Sequence, residues 1–191
     1  MRLAVLLLAA LLLAALLLAA PEAFSHPLPE STIFLDVERE QVIAELRLPA
    51  AQFEIGFGRP VPRTSAALSP TLRRDLARYV TDHLTASDRD GTAWCTEVRD
   101  LRMVMEPGAG HAAAAVAHLY VTAVLVPPSH ATPRNFVLRT DLVVHELLTH
   151  RLFVYLRRDW KLKAVNVDPF VLGRITHRTR EVAIDLFEGG G

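Results

Sequence analysis

The sequence predicts a mainly β domain of the α+β class, an antiparallel β-sandwich-like fold of about eight strands with one amphipathic helix. Apolar and polar residues alternate over most of the chain, which is the period of a strand with one buried face. One stretch, at about residues 70–86, shows helical spacing instead. A length of 191 residues is enough for one domain and leaves little room for a second.

The first elements are predicted to form a β-hairpin. Residues 31–38 and 41–49 both alternate between apolar and polar side chains, and only the short polar pair 39–40 separates them. The next segment, 53–64, contains glycine and proline, which indicates the end of a strand that continues into a loop.

A single helix is predicted at about 70–86. Ser69 suits the N-cap, and Pro70 suits the first helical position. Leu76 and Val80 belong to an apolar stripe at helical spacing. His83 lies beside this stripe, so it is predicted to be a boundary residue rather than a metal ligand.

Strands are predicted again after Gly91. Even-numbered positions between 136 and 156 are mostly apolar, which is a period of two rather than 3.6. The predicted strands lie within 92–106, 114–128, 134–144, 150–160, 163–167 and 181–187.

The N-terminal segment, 1–25, is predicted to be a signal peptide. Arg2 precedes an apolar run from Leu3 to Ala20, and "AFS" then offers small residues for cleavage after Ser25. An uncleaved membrane anchor is the alternative, because the run of 18 residues is just long enough to cross a bilayer. Either way the remainder is expected outside the cytoplasm, in the periplasm or on the outer face of the cytoplasmic membrane.

The exported part is expected to be one domain at 26–187, followed by a Gly-rich tail at 188–191. Its membrane contact is limited to the signal peptide or uncleaved anchor. Lys+Arg and Asp+Glu balance at 21 each, so no basic excess favours nucleic acid as a partner. The single cysteine, Cys95, excludes a disulfide within the chain and is expected to be buried.

The stretch "HELLTH", 145–150, resembles the H-E-x-x-H signature of zinc proteases, but its histidines are five residues apart. On a helix, residues at this spacing point about 140° apart, and on a strand they face opposite sides. The protease interpretation therefore fails. If the segment is a turn between two strands, His145 and His150 can line one rim and bind a metal ion. The alternative is a solvated His145 and a hydrogen-bonded His150 near the core.

Cleavage after Ser25 would place His26 at the new N-terminus, where its amine and imidazole can chelate nickel, copper or cobalt. We therefore predict a metal site of His26 with His145 or His150. The sequence contains no catalytic motif such as G-x-S-x-G or a Gly-rich phosphate loop. It therefore favours a binding module and no enzymatic activity, with no catalytic or cofactor-binding residues.

The segment "SHPLPESTIFLDVEREQVIAELRLP", 25–49, resembles the start of the extracytoplasmic domain of HupE/UreJ-family membrane proteins. Later segments fit as well: "LRRDLARYVTDHL" with "DGTAWCTEV", and "PRNFVLRTDLVVHELLTHRLFVYLRRDW". These proteins are hydrogenase and urease accessory proteins regarded as nickel or cobalt permeases. They continue into several transmembrane helices beyond the domain, and this chain ends at "LFEGGG".

The resemblance implies an exported binding or partner-recognition domain that serves a metal-transport system, with a transmembrane permease as its partner. Transport itself belongs to the transmembrane part and is not carried over. The chain would then be a stand-alone domain or one truncated at a Gly linker. Two alternatives from other classes stay open: a secreted hydrolase whose site is assembled from distant residues, and a purely structural extracytoplasmic domain.

Overall fold

The computed structural model describes residues 30–108, 114–162 and 165–186, with only the backbone described at 165–167. This part of the chain is mainly β and contains nine strands in two sheets, two α-helices and a short 3-10 helix. Its elements are β1 (Ser31–Val37), β2 (Val42–Pro49), α1 (Ala50–Phe57), the 3-10 helix (Ser65–Ala67), α2 (Pro70–His83), β3 (Leu84–Ser87), β4 (Cys95–Glu106), β5 (Val116–Val126), β6 (Asn135–Thr140), β7 (Leu152–Asp159), β8 (Val165–Ile175) and β9 (Glu181–Asp185).

The larger sheet has six strands in the order β4-β5-β2-β1-β7-β8, and the smaller has three in the order β3-β6-β9. Neighbouring strands are antiparallel except for β1 and β7, which run parallel. The predicted hairpin is confirmed, since β1 pairs with β2 and Glu38 N–H donates to Gln41 O at 2.9 Å across the turn.

The core lies on one face of the six-stranded sheet. Alternate residues of β1, Ile33, Leu35 and Val37, are fully buried, as the period of two predicts. Buried residues of both sheets and both helices join them in one cluster. The opposite face of the sheet carries polar contacts, among them the guanidinium of Arg157 bonded to Asp36 at 2.8 Å and to Glu45 at 3.2 Å.

The prediction of a strand end at 53–64 was wrong, because the chain forms α1 at Ala50–Phe57. Phe53 is fully buried and stacks on Phe57, one helical turn later, at 5.6 Å between ring centroids. Gly58 ends the helix in the left-handed conformation at φ 77°, which glycine adopts without a steric penalty. The glycine thus marks a helix C-terminus rather than a loop after a strand.

The helix predicted at about 70–86 is present but ends earlier. The side chain of Ser69 accepts a hydrogen bond from Leu72 N–H, and Pro70 occupies the first turn, as expected. Leu76 and Val80 are buried. The helix ends at His83, and Leu84–Ser87 pairs as β3 with β6, so tertiary pairing overrides the helical pattern at its end.

Several other boundaries differ from the prediction. The segment predicted as a strand at 134–144 leaves the sheet after Thr140, and residues 141–149 form turns. Leu148 therefore breaks the buried even-numbered pattern and is 61% exposed. The strand predicted at 163–167 extends to Ile175. Cys95 is exposed at the start of β4, so the expectation that it is buried was wrong.

In the part of the chain that the structure describes, no helix has both the length and the apolar character needed to cross a bilayer.

Gly56, within α1, is expected to tolerate no side chain. A Cβ atom there would lie 2.7 Å from the Tyr79 hydroxyl and 2.8 Å from the Val143 Cα. Although alanine is favoured over glycine inside helices by about 1 kcal/mol, we expect Gly56→Ala to lower the free energy of unfolding by about 1–3 kcal/mol through overpacking. Urea unfolding checks this, with Ala51→Gly at an exposed position of the same helix as the propensity control. A more stable Gly56→Ala protein would contradict the prediction.

Candidate functional site

Three elements meet at one end of the three-stranded sheet. β3 begins directly after α2, and its first residue, Leu84, pairs with Thr140 at the end of β6. On the other side of β6, Thr140 N–H donates to Arg180 O at 2.9 Å, just before β9. His83 and Asp141, which adjoin the Leu84–Thr140 pair, and Arg180, which bonds Thr140, therefore lie close together although they are far apart in sequence.

Asp141 joins the parts of this junction. Its N–H donates to His83 O at 3.2 Å, and its Oδ1 lies 2.6 Å from Nδ1 of the His83 ring. Its Oδ2 accepts from Arg180 Nη1 at 3.3 Å. Its backbone carbonyl lies 2.8 Å from Nδ1 of His145. One residue thus contacts the Nδ1 atoms of two histidines, one with its carboxylate and the other with its main chain.

The two imidazole rings lie against each other. The ring centroids of His83 and His145 are 4.6 Å apart and their planes differ by 13°. The ring of Tyr79 lies 4.3 Å from the His83 ring. Among the described residues neither Nε2 atom has a hydrogen-bond partner, and both Nδ1 atoms are bound to Asp141. The Nε2 atoms are consequently the ring nitrogens available to a ligand.

His145 is placed by a strained turn. Val144 N–H donates to Leu142 O at 2.7 Å, and the residue between them, Val143, has φ 63°. This is a γ-turn with positive φ at a β-branched residue, a conformation that costs about 1–3 kcal/mol. Val143 is fully buried and its N–H donates to the Tyr79 hydroxyl at 3.5 Å. Burial raises the pKa of that hydroxyl to about 12, so Tyr79 remains protonated.

A groove of about 650 Å³ opens beside His83 and Asp141. Both of these side chains are partly exposed, at 25% for His83 and 30% for Asp141. The groove walls carry three arginines and three acidic groups: Arg139, Arg178, Arg180, Asp82, Asp141 and Glu181. The formal charges of these six side chains cancel, and the hydroxyls of Thr85 and Thr179 complete the polar lining.

The junction contains a set of residues with metal-ligating side chains. One ligand atom each from His83, Asp141 and His145 lies within 4.8 Å of the others, and all three residues are half-buried. Imidazole nitrogen suits nickel, copper, cobalt and zinc. Carboxylate oxygen is a further ligand type for such ions. The donor chemistry therefore fits a divalent transition metal.

The predicted site residues have different locations. His145 belongs to the set, whereas His26 lies outside the described residues. His150 is buried elsewhere, with its Nε2 2.8 Å from the Ser31 hydroxyl at the start of β1. Turns do connect the two strands around 145–150, which was the condition for a shared site, but in the described structure His150 is not in the same set as His145.

Sequence reasoning missed His83 and Asp141. They are 58 positions apart, and only the pairing of β3 with β6 brings them together. The predicted helix extended through residue 86, which placed His83 inside a helix rather than at the helix-to-strand junction. The predicted strand at 134–144 likewise placed Asp141 inside a strand. Shorter boundaries for both elements would have identified two polar residues at adjacent ends.

Comparison with models of known protein families and with curated protein sequences gives no match. The resemblance to the HupE/UreJ family therefore stays a prediction.

His150 makes the stability of the fold depend on pH. Burial lowers its pKa from 6.5 to about 4. Between these values the unfolded chain takes up a proton that the folded chain excludes, so the free energy of unfolding falls as the pH drops. We expect this residue to contribute a loss of up to about 3 kcal/mol between pH 6.5 and 4.

Urea unfolding at several pH values measures this loss. His150→Gln should show a smaller decrease over the same interval than the unsubstituted protein. His130→Gln, whose side chain is 63% exposed, is the matched control and should keep the full decrease. An unchanged pH dependence in His150→Gln would contradict the assignment.

Proposed function

We propose that this chain is an exported, non-enzymatic domain that binds a transition-metal ion through His83, Asp141 and His145 and serves a metal-transport system. The observation that supports this most is that one ligand atom of each of these three residues lies within 4.8 Å of the others. A transmembrane permease is the proposed partner, on the strength of the resemblance to the HupE/UreJ family.

Asp141 contacts both imidazoles, His83 with its carboxylate and His145 with its backbone carbonyl, and its carboxylate is the third ligand in this proposal. A neutral imidazole keeps one unprotonated ring nitrogen, which is the form that binds metal. The strained turn at Val143 supports a functional role for His145, because such strain clusters at sites where it positions a group. Two histidines on different elements, α2 and the 141–149 turn, form the pair only in the folded domain.

A hydrolase remains the second candidate, because the His83 and Asp141 pair has the contact that a general base makes with its orienting carboxylate. Such a pair also needs a nucleophile or a bound water. Among the described residues no serine, threonine or cysteine hydrogen-bonds to His83. The binding function is therefore the better supported of the two.

Metal binding is tested by calorimetric titration of nickel, copper and cobalt into the chain from residue 26 onward. We expect His83→Ala and His145→Ala each to weaken binding of the best-bound ion at least tenfold, since each removes one of three ligands. Asp141→Ala should weaken binding at least tenfold as well, because it removes the carboxylate ligand.

His130→Ala serves as the surface-histidine control and should bind like the unsubstituted protein. His26→Ala and His150→Ala separate the earlier prediction from this one, because a loss confined to them would move the site to the N-terminus. If none of the three metals binds at micromolar concentration, the proposed function is wrong.

Export predicts a mature protein that begins at His26. The support is Arg2, the apolar run from Leu3 to Ala20 and the small residues before the cut, all of which lie outside the described residues. Mass spectrometry of the full-length chain expressed in a Gram-negative bacterium measures the N-terminus after fractionation. Recovery of the chain from the cytoplasm with Met1 or Arg2 intact would contradict export.

A further inference from the structure

We infer that β8 is an interface at which two copies of this chain pair, strand against strand and antiparallel, so that their six-stranded sheets join edge to edge. The inference does not depend on the proposed function. β8 is the last strand of the larger sheet and pairs there with β7 alone. Its other edge therefore carries unpaired backbone N–H and C=O groups, and such an edge is a template for another strand.

The two edges of the larger sheet differ in how they are covered. At the β4 edge, the Ser65 hydroxyl accepts a hydrogen bond from Met103 N–H at 2.7 Å and donates one to Met103 O at 3.1 Å. Arg73 Nη1 donates to Leu101 O of the same strand at 2.7 Å. At 168–174, by contrast, no described residue outside β7 hydrogen-bonds to the backbone of β8. β8 is therefore the edge that remains open to another strand.

Two large apolar side chains are exposed at this edge. Phe170 is 64% exposed and Val171 is 50% exposed. Phe170 pairs with the buried Leu156 and Val171 pairs with Tyr155, so the two side chains lie on opposite faces of the sheet. A strand added to β8 supplies cross-strand neighbours on both faces. It would cover both side chains, and the burial of their apolar surface favours the association.

The charge pattern of β8 favours a second copy as the added strand. The stretch "DPFVLGR", 168–174, begins with an acidic residue and ends with a basic one, and uncharged residues lie between them. A two-fold axis near Val171 brings Asp168 of each copy to the end of the interface where Arg174 of the other copy lies. Both side chains are exposed, and neither has an ion pair with another described residue. Opposite charges across a strand pair stabilise it, so the strand is complementary to itself, as a two-fold interface requires.

The dimer is expected to be weak. Pro169 has no N–H to donate, and the pairing of β8 with β7 changes register beside Leu172. Both features reduce regular hydrogen bonding along this edge. Pairing through one short strand also buries less surface than the about 1,200–2,000 Å² of a stable complex. We therefore expect a dimer that forms at micromolar concentration and dissociates on dilution.

Sedimentation velocity of the chain from residue 26 onward, from low to high micromolar concentration, measures this equilibrium. Asp168→Arg and Arg174→Asp should each weaken dimerisation about tenfold, because each brings like charges together at two symmetric positions. The double variant, Asp168→Arg with Arg174→Asp, restores opposite charges and should return to within about threefold of the unsubstituted chain. Glu97→Arg, a charge reversal at a 64% exposed position of β4, is the matched control and should dimerise normally.

Val171→Lys places two ammonium groups close to the axis and should abolish the dimer, with circular dichroism as the check that the variant is folded. A chain that stays monomeric at high micromolar concentration overturns the inference. It is also overturned if Glu97→Arg weakens the dimer as much as Asp168→Arg does, or if the double variant dimerises no better than the single ones. None of these outcomes bears on metal binding, which the calorimetric titration tests separately.

Discussion

The pairing of β3 with β6 is the constraint on which the candidate site depends. It places Leu84 opposite Thr140. Because the strands are antiparallel, the residues just beyond this pair, His83 and Asp141, are neighbours as well. Asp141 strengthens the contact by donating its N–H to His83 O. A shift of one residue in this register would turn the side chains of β3 to the other face and separate the imidazole from the carboxylate.

Packing of α1 and α2 against the 141–149 turn determines where His145 lies. α1 and α2 approach closely at Gly56, where the space that a side chain would occupy is filled by the Tyr79 hydroxyl and the Val143 backbone. Tyr79 in turn accepts a hydrogen bond from Val143 N–H. These contacts hold the turn in a conformation that a valine would otherwise avoid, and His145 is carried two residues further on. The strain at Val143 thus lowers the stability of the fold while it fixes the position of the His145 imidazole.

The sequence was informative where local patterns decide the structure. The hairpin at 31–49 follows from alternation and a short polar link, and the start of α2 follows from Ser69 and Pro70. It was uninformative where long-range contacts decide. The helix α1, which Gly58 ends, was not predicted, because its sequence shows no clear helical pattern. The residues expected to form the last turn of α2 form β3 instead, because they pair with β6. The local sequence "HELLTH" identified His145 as a candidate ligand. Its contact with Asp141 could not be predicted, because it depends on the geometry of the turn.

The parallel contact between β1 and β7 has a consequence for the order in which the molecule forms. Ser31 and His150, joined by a hydrogen bond beside this contact, are 119 residues apart, so the centre of the six-stranded sheet closes only after most of the chain is available. The N-terminal hairpin leaves the ribosome, and on export crosses the membrane, before the rest of the chain, so one edge of β1 stays unpaired until β7 follows. Contacts this distant in sequence slow folding, and an exposed strand edge invites pairing with other chains. The unpaired edge of β1 is therefore the part of the incompletely folded protein that is most exposed to aggregation.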